Sequence, residues 1–350
     1  MASLQETPEG ARPYGLGFDP ERLRAYLLEH IAGAHGPMTV NRVRGGQSNP
    51  TFFVDFPGRR LVLRKRPNGP TLPSAHAIDR EFRVLDALKG TGLPVPIPLL
   101  FNDDPTLIGT PFYVMERLDG RIFDDAALPG IAPADRAAYH FAVADALARL
   151  HAIDPAAVGL ADYGRPGDYF QRQIARWSRQ WRESPTDDIP ALDGLVRWLP
   201  DHQPPDDGRI AIAHGDYRFG NLIFHPVEPR IVGILDWELS TLGHPLADLG
   251  FCCMPWHTAP QEYAGILGLD REALGVPTQE AVVAHYMARA VPTGPLLPFH
   301  IVFALFRFAV IFVGIADRVR AGTAAGENAA SISHLARNFA RRALDVAEAG

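Results

Sequence analysis

Apolar and polar positions change their period several times along this chain. After Asp19-Pro20, the residues Leu23, Tyr26, Leu27 and Ile31 recur at helical spacing, with Asp19 placed to cap and Pro20 suited to the first turn. From Thr39 the texture becomes short β-type runs, TVNRV, TFFVDF and RLVLRK, punctuated by Gly45-Gly46 and Pro57-Gly58, which predicts a strand meander. Helical spacing returns over 74–88, with Ile78, Phe82, Leu85 and Leu88 on one stripe, and two further strands are predicted at 97–101 and 112–116. Beyond Leu118 the pattern is mainly helical, over 133–151, 169–181 and 196–199. A β section interrupts at 210–236, and helices resume after Gln279. No internal repeat is visible, and the Pro-rich stretches at 67–73 and 94–98 read as loops.

Strands with one helix, followed by a mostly helical remainder, predict an α+β protein of two lobes. The expected division is a β-rich N-terminal lobe with its leading helix (1–116) and a larger helical C-terminal lobe (117–350), hinged near 116–120. The long apolar run at 301–316, IVFALFRFAVIFVGIA, is shorter than the roughly 20 residues that span a bilayer and carries Arg307 near its middle. It reads as a buried helix of the larger lobe.

Composition narrows the function classes. Hydrophobic residues at 47% and charged residues at 21% suit a soluble globular protein. A formal net charge of −6 argues against nonspecific nucleic-acid or anionic-membrane binding, which need a basic surface. Cys252 and Cys253 are adjacent and alone, so a disulfide framework and a four-cysteine zinc site are excluded, and a reducing cytoplasm is expected. The polar segment MASLQETPEG lacks the apolar core of a secretory signal.

The chemistry concentrates in His214-Gly215-Asp216-Tyr217-Arg218-Phe219-Gly220-Asn221, between the apolar runs IAIA and LIF. Asp236 ends a further apolar run, IVGIL, fifteen residues after Asn221. Two carboxylates and an amide presented from adjacent strand ends can gather around magnesium, which prefers oxygen ligands. Phosphoryl transfer needs a base that orients the acceptor hydroxyl, a role suited to Asp216, and metal ligands, roles suited to Asn221 and Asp236. The Asp-to-Asn spacing alone also fits a turn in which both side chains cap backbone groups; the second carboxylate shifts the balance.

HGDYRFGN followed by ILDWE resembles the catalytic and metal-binding segments of the aminoglycoside phosphotransferase family, which has the protein-kinase-like fold. GGQSNPTFFV, VLRKRP, AIDREFRVLDAL, GTPFYVMERLDGR and HPLADLG resemble most closely its branch of kinase-like domains also found fused to acyl-CoA dehydrogenases. The resemblance implies a bilobal kinase-like fold with an N-terminal nucleotide-binding lobe. It implies ATP or GTP as co-substrate with Mg2+, and a hydroxyl-bearing small molecule as acceptor. It also implies that Gly45, Gly46, Gln47, Ser48 and Asn49 cover the nucleotide phosphates and that Met115, Glu116, Arg117 and Leu118 form the hinge that holds the base. Strand alternation puts Arg64 and Arg66 opposite Lys65; the resemblance selects Lys65 as the phosphate-contacting lysine, with Glu81 as its partner.

Protein kinases carry an arginine before the catalytic Asp that receives an activation-loop phosphate. Here that position is Gly215, and about ten residues separate Asp236 from HPLADLG, so a constitutively competent small-molecule kinase is expected. Asp248 is expected to anchor the catalytic loop, His214 to bond backbone beside it, and Arg307 to form a salt bridge within the core. Trp256 and His257 are candidates for an acceptor pocket, and Glu238 for the metal site. The branch resemblance implies a hydroxyacyl-thioester acceptor. The alternatives are an aminoglycoside kinase with an acidic cleft fed by Asp187-Asp188 and Asp206-Asp207, a nucleotide-binding pseudokinase-like module, and a transition-metal hydrolase using His214, Asp216, His225, Asp236 and His244.

Overall fold

A computed structural model describes residues 16–43, 49–68, 77–165, 167–186, 189–322 and 334–349. The first helix, α1 (Pro20–His30), begins as its cap predicts, with Asp19 accepting from the backbone N–H of Glu21 and Arg22. Strands β1 (Thr39–Arg42), β2 (Thr51–Phe56), β3 (Arg59–Lys65), β4 (Pro98–Asn102) and β5 (Phe112–Glu116) form one antiparallel sheet in the order β1-β2-β3-β5-β4.

Both faces of this sheet are covered. Phe52, Val54, Leu61, Leu63, Phe112 and Val114 pack under α1 with Leu23 and Leu27. The alternate residues Phe53, Val62, Tyr113 and Met115 face α2 (Ile78–Leu88) and join a core that continues into the helical part through Tyr139, Leu147, Leu222 and Trp237. The strands therefore read as continuous apolar runs rather than alternating ones. This two-sided burial decides the site below.

The helical part is built on α3 (Pro133–His151), α4 (Tyr169–Arg182) and α5 (Pro190–Asp201), then α6 (Pro245–Cys252), the short α7 (Arg271–Leu274), α8 (Gln279–Met287), α9 (Pro298–Arg320) and α10 (Leu335–Ala349). Two small antiparallel pairs carry the polar motif: β6 (Ala211–Ala213) with β9 (Thr241–Gly243), and between them the hairpin of β7 (Leu222–Phe224) with β8 (Ile231–Ile234). Strand β9, which pattern reading missed, has only three residues. The apolar run at 301–316 lies within α9. That helix is long and apolar enough to cross a membrane, yet 83% of its apolar window is buried in the protein, against α10 among others. Just past β5, Arg121 ties the chain to β7, exchanging backbone hydrogen bonds of 2.8 Å each way with Phe224.

Candidate active site

The catalytic loop follows β6. His214 and Gly215 give their backbone N–H groups to the Asp248 carboxylate, at 2.6 and 2.9 Å, as expected of an anchor on the first turns of α6. Burial opposes charge on Asp248, but hydrogen bonds from His151 and the loop backbone hold its carboxyl below the usual aspartate range. His151 bonds Tyr286 at its other nitrogen, which ties α3, α6 and α8 to the loop.

His214 is fully buried and bonds backbone, as expected. Its Nε2–H donates to Leu235 O at 2.9 Å, and its Nδ1 accepts from the Asp216 N–H at 3.2 Å. Both ring nitrogens are thereby used in one neutral tautomer, and burial pushes the ring below the usual histidine value. No nitrogen is left for proton shuttling.

Asp216 accepts from the Asn221 amide at 2.7 Å, and the same Nδ2 reaches the Asp216 carbonyl at 2.8 Å. The nitrogen side of Asn221 is thus spent, which leaves its Oδ1 for a cation. Burial lifts the Asp216 carboxyl above the usual aspartate value, opposed by the Arg218 guanidinium, whose Nε lies 3.5 Å from Oδ2. A carboxylate of raised basicity beside an open cavity is suited to take a hydroxyl proton.

Asp236 follows β8 in the left-handed region, at φ 65°, a conformation that aspartate tolerates better than most residues. Asn221 and Asp236 are neighbours through the β7–β8 hairpin, with Leu235 N–H donating to Asn221 O at 2.8 Å. One oxygen each of Glu81, Asp236 and Glu238 lies within 4.8 Å of the others. An amide oxygen and carboxylates of this kind fit a magnesium ion held by Asn221 and Asp236.

One expectation is corrected here. Glu81 pairs with Arg64, not with Lys65: Arg64 Nε is 3.3 Å from Glu81 Oε2, and Arg64 Nη2 is 3.4 Å from Asp236 Oδ1. Lys65 points to the opposite face, bonds Asn68 Oδ1 at 2.7 Å and lies 5.9 Å from the Phe18 ring centroid. The alternation was right, but the cleft lies on the Val62–Arg64 face, because α1 covers the Leu61–Leu63–Lys65 face. Burial alone would pull Arg64 down, yet Glu81, Tyr113 and Asp236 together hold it above the ordinary arginine range. Glu81 is clamped further by the Asn49 amide at 2.8 Å and the Tyr113 hydroxyl at 2.9 Å, two ligands that sequence reasoning did not assign to it.

Gly45, Gly46, Gln47 and Ser48 lie outside the described residues; Asn49 is buried and engaged with Glu81. Glu116 ends β5 with its carboxylate 3.9 Å from Arg59. Leu118 packs on Gly233 of β8, where a Cβ would come within 2.6 Å of its Cδ1. Arg307 makes no carboxylate ion pair among the described residues. Its Nη2 donates to the Gly215 carbonyl at 2.6 Å, directly under the catalytic loop. Trp256 and His257 turn away, to Pro277 O and Gln279.

Beside the loop, a cavity of about 50 Å³ is lined by Phe219, Phe251, Met254, Phe308 and Phe339, with Asp124 and Arg218 as its charged groups. Asp206 and Asp207 are elsewhere, in a second cavity with His244 and His300, and Asp187-Asp188 lie outside the described residues. The hydrolase reading fails on geometry, since His225 meets Glu228, His244 meets Asp207 and His214 is spent on backbone.

Comparison with known proteins agrees with this geometry. The model of the phosphotransferase enzyme family (APH) matches residues 39–281. A candidate aminoglycoside phosphotransferase from Ralstonia eutropha is 45% identical, with a TM-score of 0.84 over 95% of this chain and 98% of that one. Acyl-CoA dehydrogenase family member 11 of Gallus gallus is 40% identical over 344 residues, 95% of this chain but 44% of that protein, so the chain spans less than half of that curated relative. A thermostable mutant of aminoglycoside phosphotransferase APH(4)-Ia, solved with AMP-PNP and hygromycin B, shares the fold at 15% identity, with a TM-score of 0.59 over 91% of this chain and 98% of that one. With its kinase-like fold and this site, the chain belongs to the APH phosphotransferase family, enzymes that transfer a phosphoryl group to a hydroxyl.

Proposed function

We propose that this protein is a magnesium- and ATP-dependent kinase of a small acceptor with a largely apolar body, of the hydroxyacyl-thioester kind. The observation that carries the reading is the cavity wall beside Asp216, where aromatic and thioether side chains surround one acidic and one basic group. A polycationic aminoglycoside gains its affinity from many carboxylates, and this wall offers Asp124 alone. The acyl-CoA dehydrogenase name of relatives that continue beyond the kinase-like portion is in keeping with an acyl acceptor.

In this reading Asp216 accepts the proton of the acceptor hydroxyl as its oxygen attacks the γ-phosphorus, and the bond from that phosphorus to the β–γ bridging oxygen breaks to release ADP. Asn221 fixes the Asp216 carboxylate, and Arg218 offers positive charge next to the transferring group. Asn221 and Asp236 hold the metal, which supplies neutralisation of phosphate charge when bound. Arg64, fixed by Glu81, takes the place assigned to the lysine that meets the nucleotide phosphates, and backbone groups from Glu116 to Leu118 hold the base. ATP is preferred over GTP because a fold neighbour was solved with AMP-PNP. A cytoplasmic setting, with Cys252 and Cys253 as thiols, belongs to the same reading.

Purified protein with labelled ATP and magnesium is assayed against hydroxyacyl-CoA, aminoglycoside and choline-type acceptors. Transfer to hydroxyacyl-CoA is the expected result. Turnover of aminoglycosides alone would replace the acceptor proposed here, and nucleotide binding with no transfer to any acceptor would favour a binding module.

A further inference from the structure

The cavity beside Arg218 is closed on one side by a strap, residues 258–265, between the turn after α6 and α7. Tyr263 and Ala264 line the cavity, and both hold left-handed backbone, at φ 70° and 56°. Non-glycine residues in that region persist only where their surroundings over-determine them. Here the surroundings do so from several sides. Gly265 is pressed onto Thr258, whose carbonyl oxygen would lie 1.9 Å from any Cβ. Glu262 is buried, accepts from Ala259 N–H at 2.9 Å, and is gripped by Arg341 at 3.1 Å and Arg342 at 2.7 Å from α10. The Tyr263 ring meets Phe308, Phe312 and Phe339 edge-on, at centroid distances of 5.1, 5.6 and 6.3 Å.

The same ring also meets the catalytic loop. The Arg218 guanidinium carbon lies over it, 5.4 Å from the Tyr263 centroid, while Arg218 Nε is buried, lacks a hydrogen-bond partner among the described residues and lies 3.5 Å from Asp216 Oδ2. An aromatic face attracts a cation at this range, so the ring holds the guanidinium beside the base instead of letting it swing into the cavity. Tyr263 is thus both a wall of the acceptor cavity and the support of the charge next to Asp216.

We propose that Tyr263 is a specificity-determining residue of the acceptor site, set in place by the Glu262 clamp from α10, that selects a slender apolar acceptor and keeps Arg218 on Asp216. The inference rests on the cavity being the acceptor site. Tyr263 and Phe219 both line this small cavity, so a bulky polycyclic or multi-ring acceptor needs the ring displaced.

The test uses the full chain with ATP, magnesium and hydroxyacyl-CoA probes of short and long unbranched chains. Tyr263→Phe keeps the aromatic face and is the conservative rescue: it is expected to lose less acceptor affinity than Tyr263→Leu. Tyr263→Leu keeps bulk but loses the aromatic face; it is expected to raise the acceptor KM about ten-fold with the ATP KM unmoved. Glu262→Gln, which loosens the strap without touching the cavity wall, should shift the acceptor KM in the same direction by less. A wild-type acceptor KM in Tyr263→Leu would overturn the proposal while leaving the kinase reading intact. An equal rise in both KM values would reduce Tyr263 to a structural residue. If wild-type protein transfers phosphate to no hydroxyacyl probe, the acceptor reading falls first and this inference falls with it.

Discussion

Arg64 and Asp236, from β3 and from the turn after β8, face each other across 3.4 Å, and the same guanidinium lies 3.3 Å from Glu81. One cation thus joins the sheet, helix α2 and the metal-binding end of the β7–β8 hairpin.

Removing that cation leaves Glu81 buried with Tyr113 and Asn49 as its partners among the described residues. Arg64→Met is expected to lower stability by about 3–5 kcal/mol, the cost of stranding a buried charge, and to raise the ATP KM. Arg64→Lys restores charge without the fork and recovers only part. Lys65→Met on the opposite face should leave the ATP KM near wild type. Thermal melts and nucleotide titration of the three variants decide it; a larger ATP effect from Lys65→Met would restore the lysine to the site.

Asp216→Asn is expected to cut turnover by on the order of a hundred- to ten-thousand-fold while nucleotide still binds. Burial raises the Asp216 carboxyl and Arg218 opposes that rise. The base works only when ionised, so activity climbs as pH rises through its raised value. Arg218→Met removes the opposing charge, and the acid limb of the pH–rate profile should therefore move further upward. A downward move would contradict the assignment.

Arg307 holds the carbonyl side of the loop that Asp248 holds on the N–H side. A hydrogen bond from a charged group contributes about 1.5–3 kcal/mol, so Arg307→Met should cost about three- to ten-fold in kcat if half of that is felt at Asp216. The ATP KM should be nearly unchanged, and Arg307→Lys intermediate. Steady-state kinetics with both substrates varied would separate this from a general loss of folded protein.

His140 and His300 are buried and pushed down to about 4 by burial, from an ordinary 6.5. Between those values the unfolded chain binds protons that the folded chain refuses. Stability should accordingly fall as pH drops through that window, by up to about 3 kcal/mol per ring at its lower end. His140→Gln can still donate to Ala126 O, the bond His140 makes at 3.0 Å, and should flatten the slope. Identical slopes in melts of wild type and variant would rule His140 out.

The element order and the catalytic loop were legible in the sequence because they follow from local signals. Pro133 and His151 bound α3 where the pattern put them, and the Asp216–Asn221–Asp236 set needed only short spacings between strand ends. Arg64 was not legible. Val62 and Leu63 are both apolar, since α1 and α2 cover opposite faces of the sheet, so alternation named two faces without saying which one meets the cleft. Arg218 and Tyr263 are about forty-five residues apart in the chain and meet only through packing of the strap against α9 and α10. Nothing local marks such a pair. The Arg307 contact with Gly215 is of the same kind, a bond across 92 positions that an apolar run conceals.

Gly215 sits at φ 83°, with the Leu239 carbonyl 2.6 Å from where a Cβ would be. Every side chain is therefore barred from the position that carries a phosphate-reading arginine in protein kinases. In evolutionary terms, no single substitution leads from this loop to one switched by phosphorylation, because the turn before β9 would have to be rebuilt first.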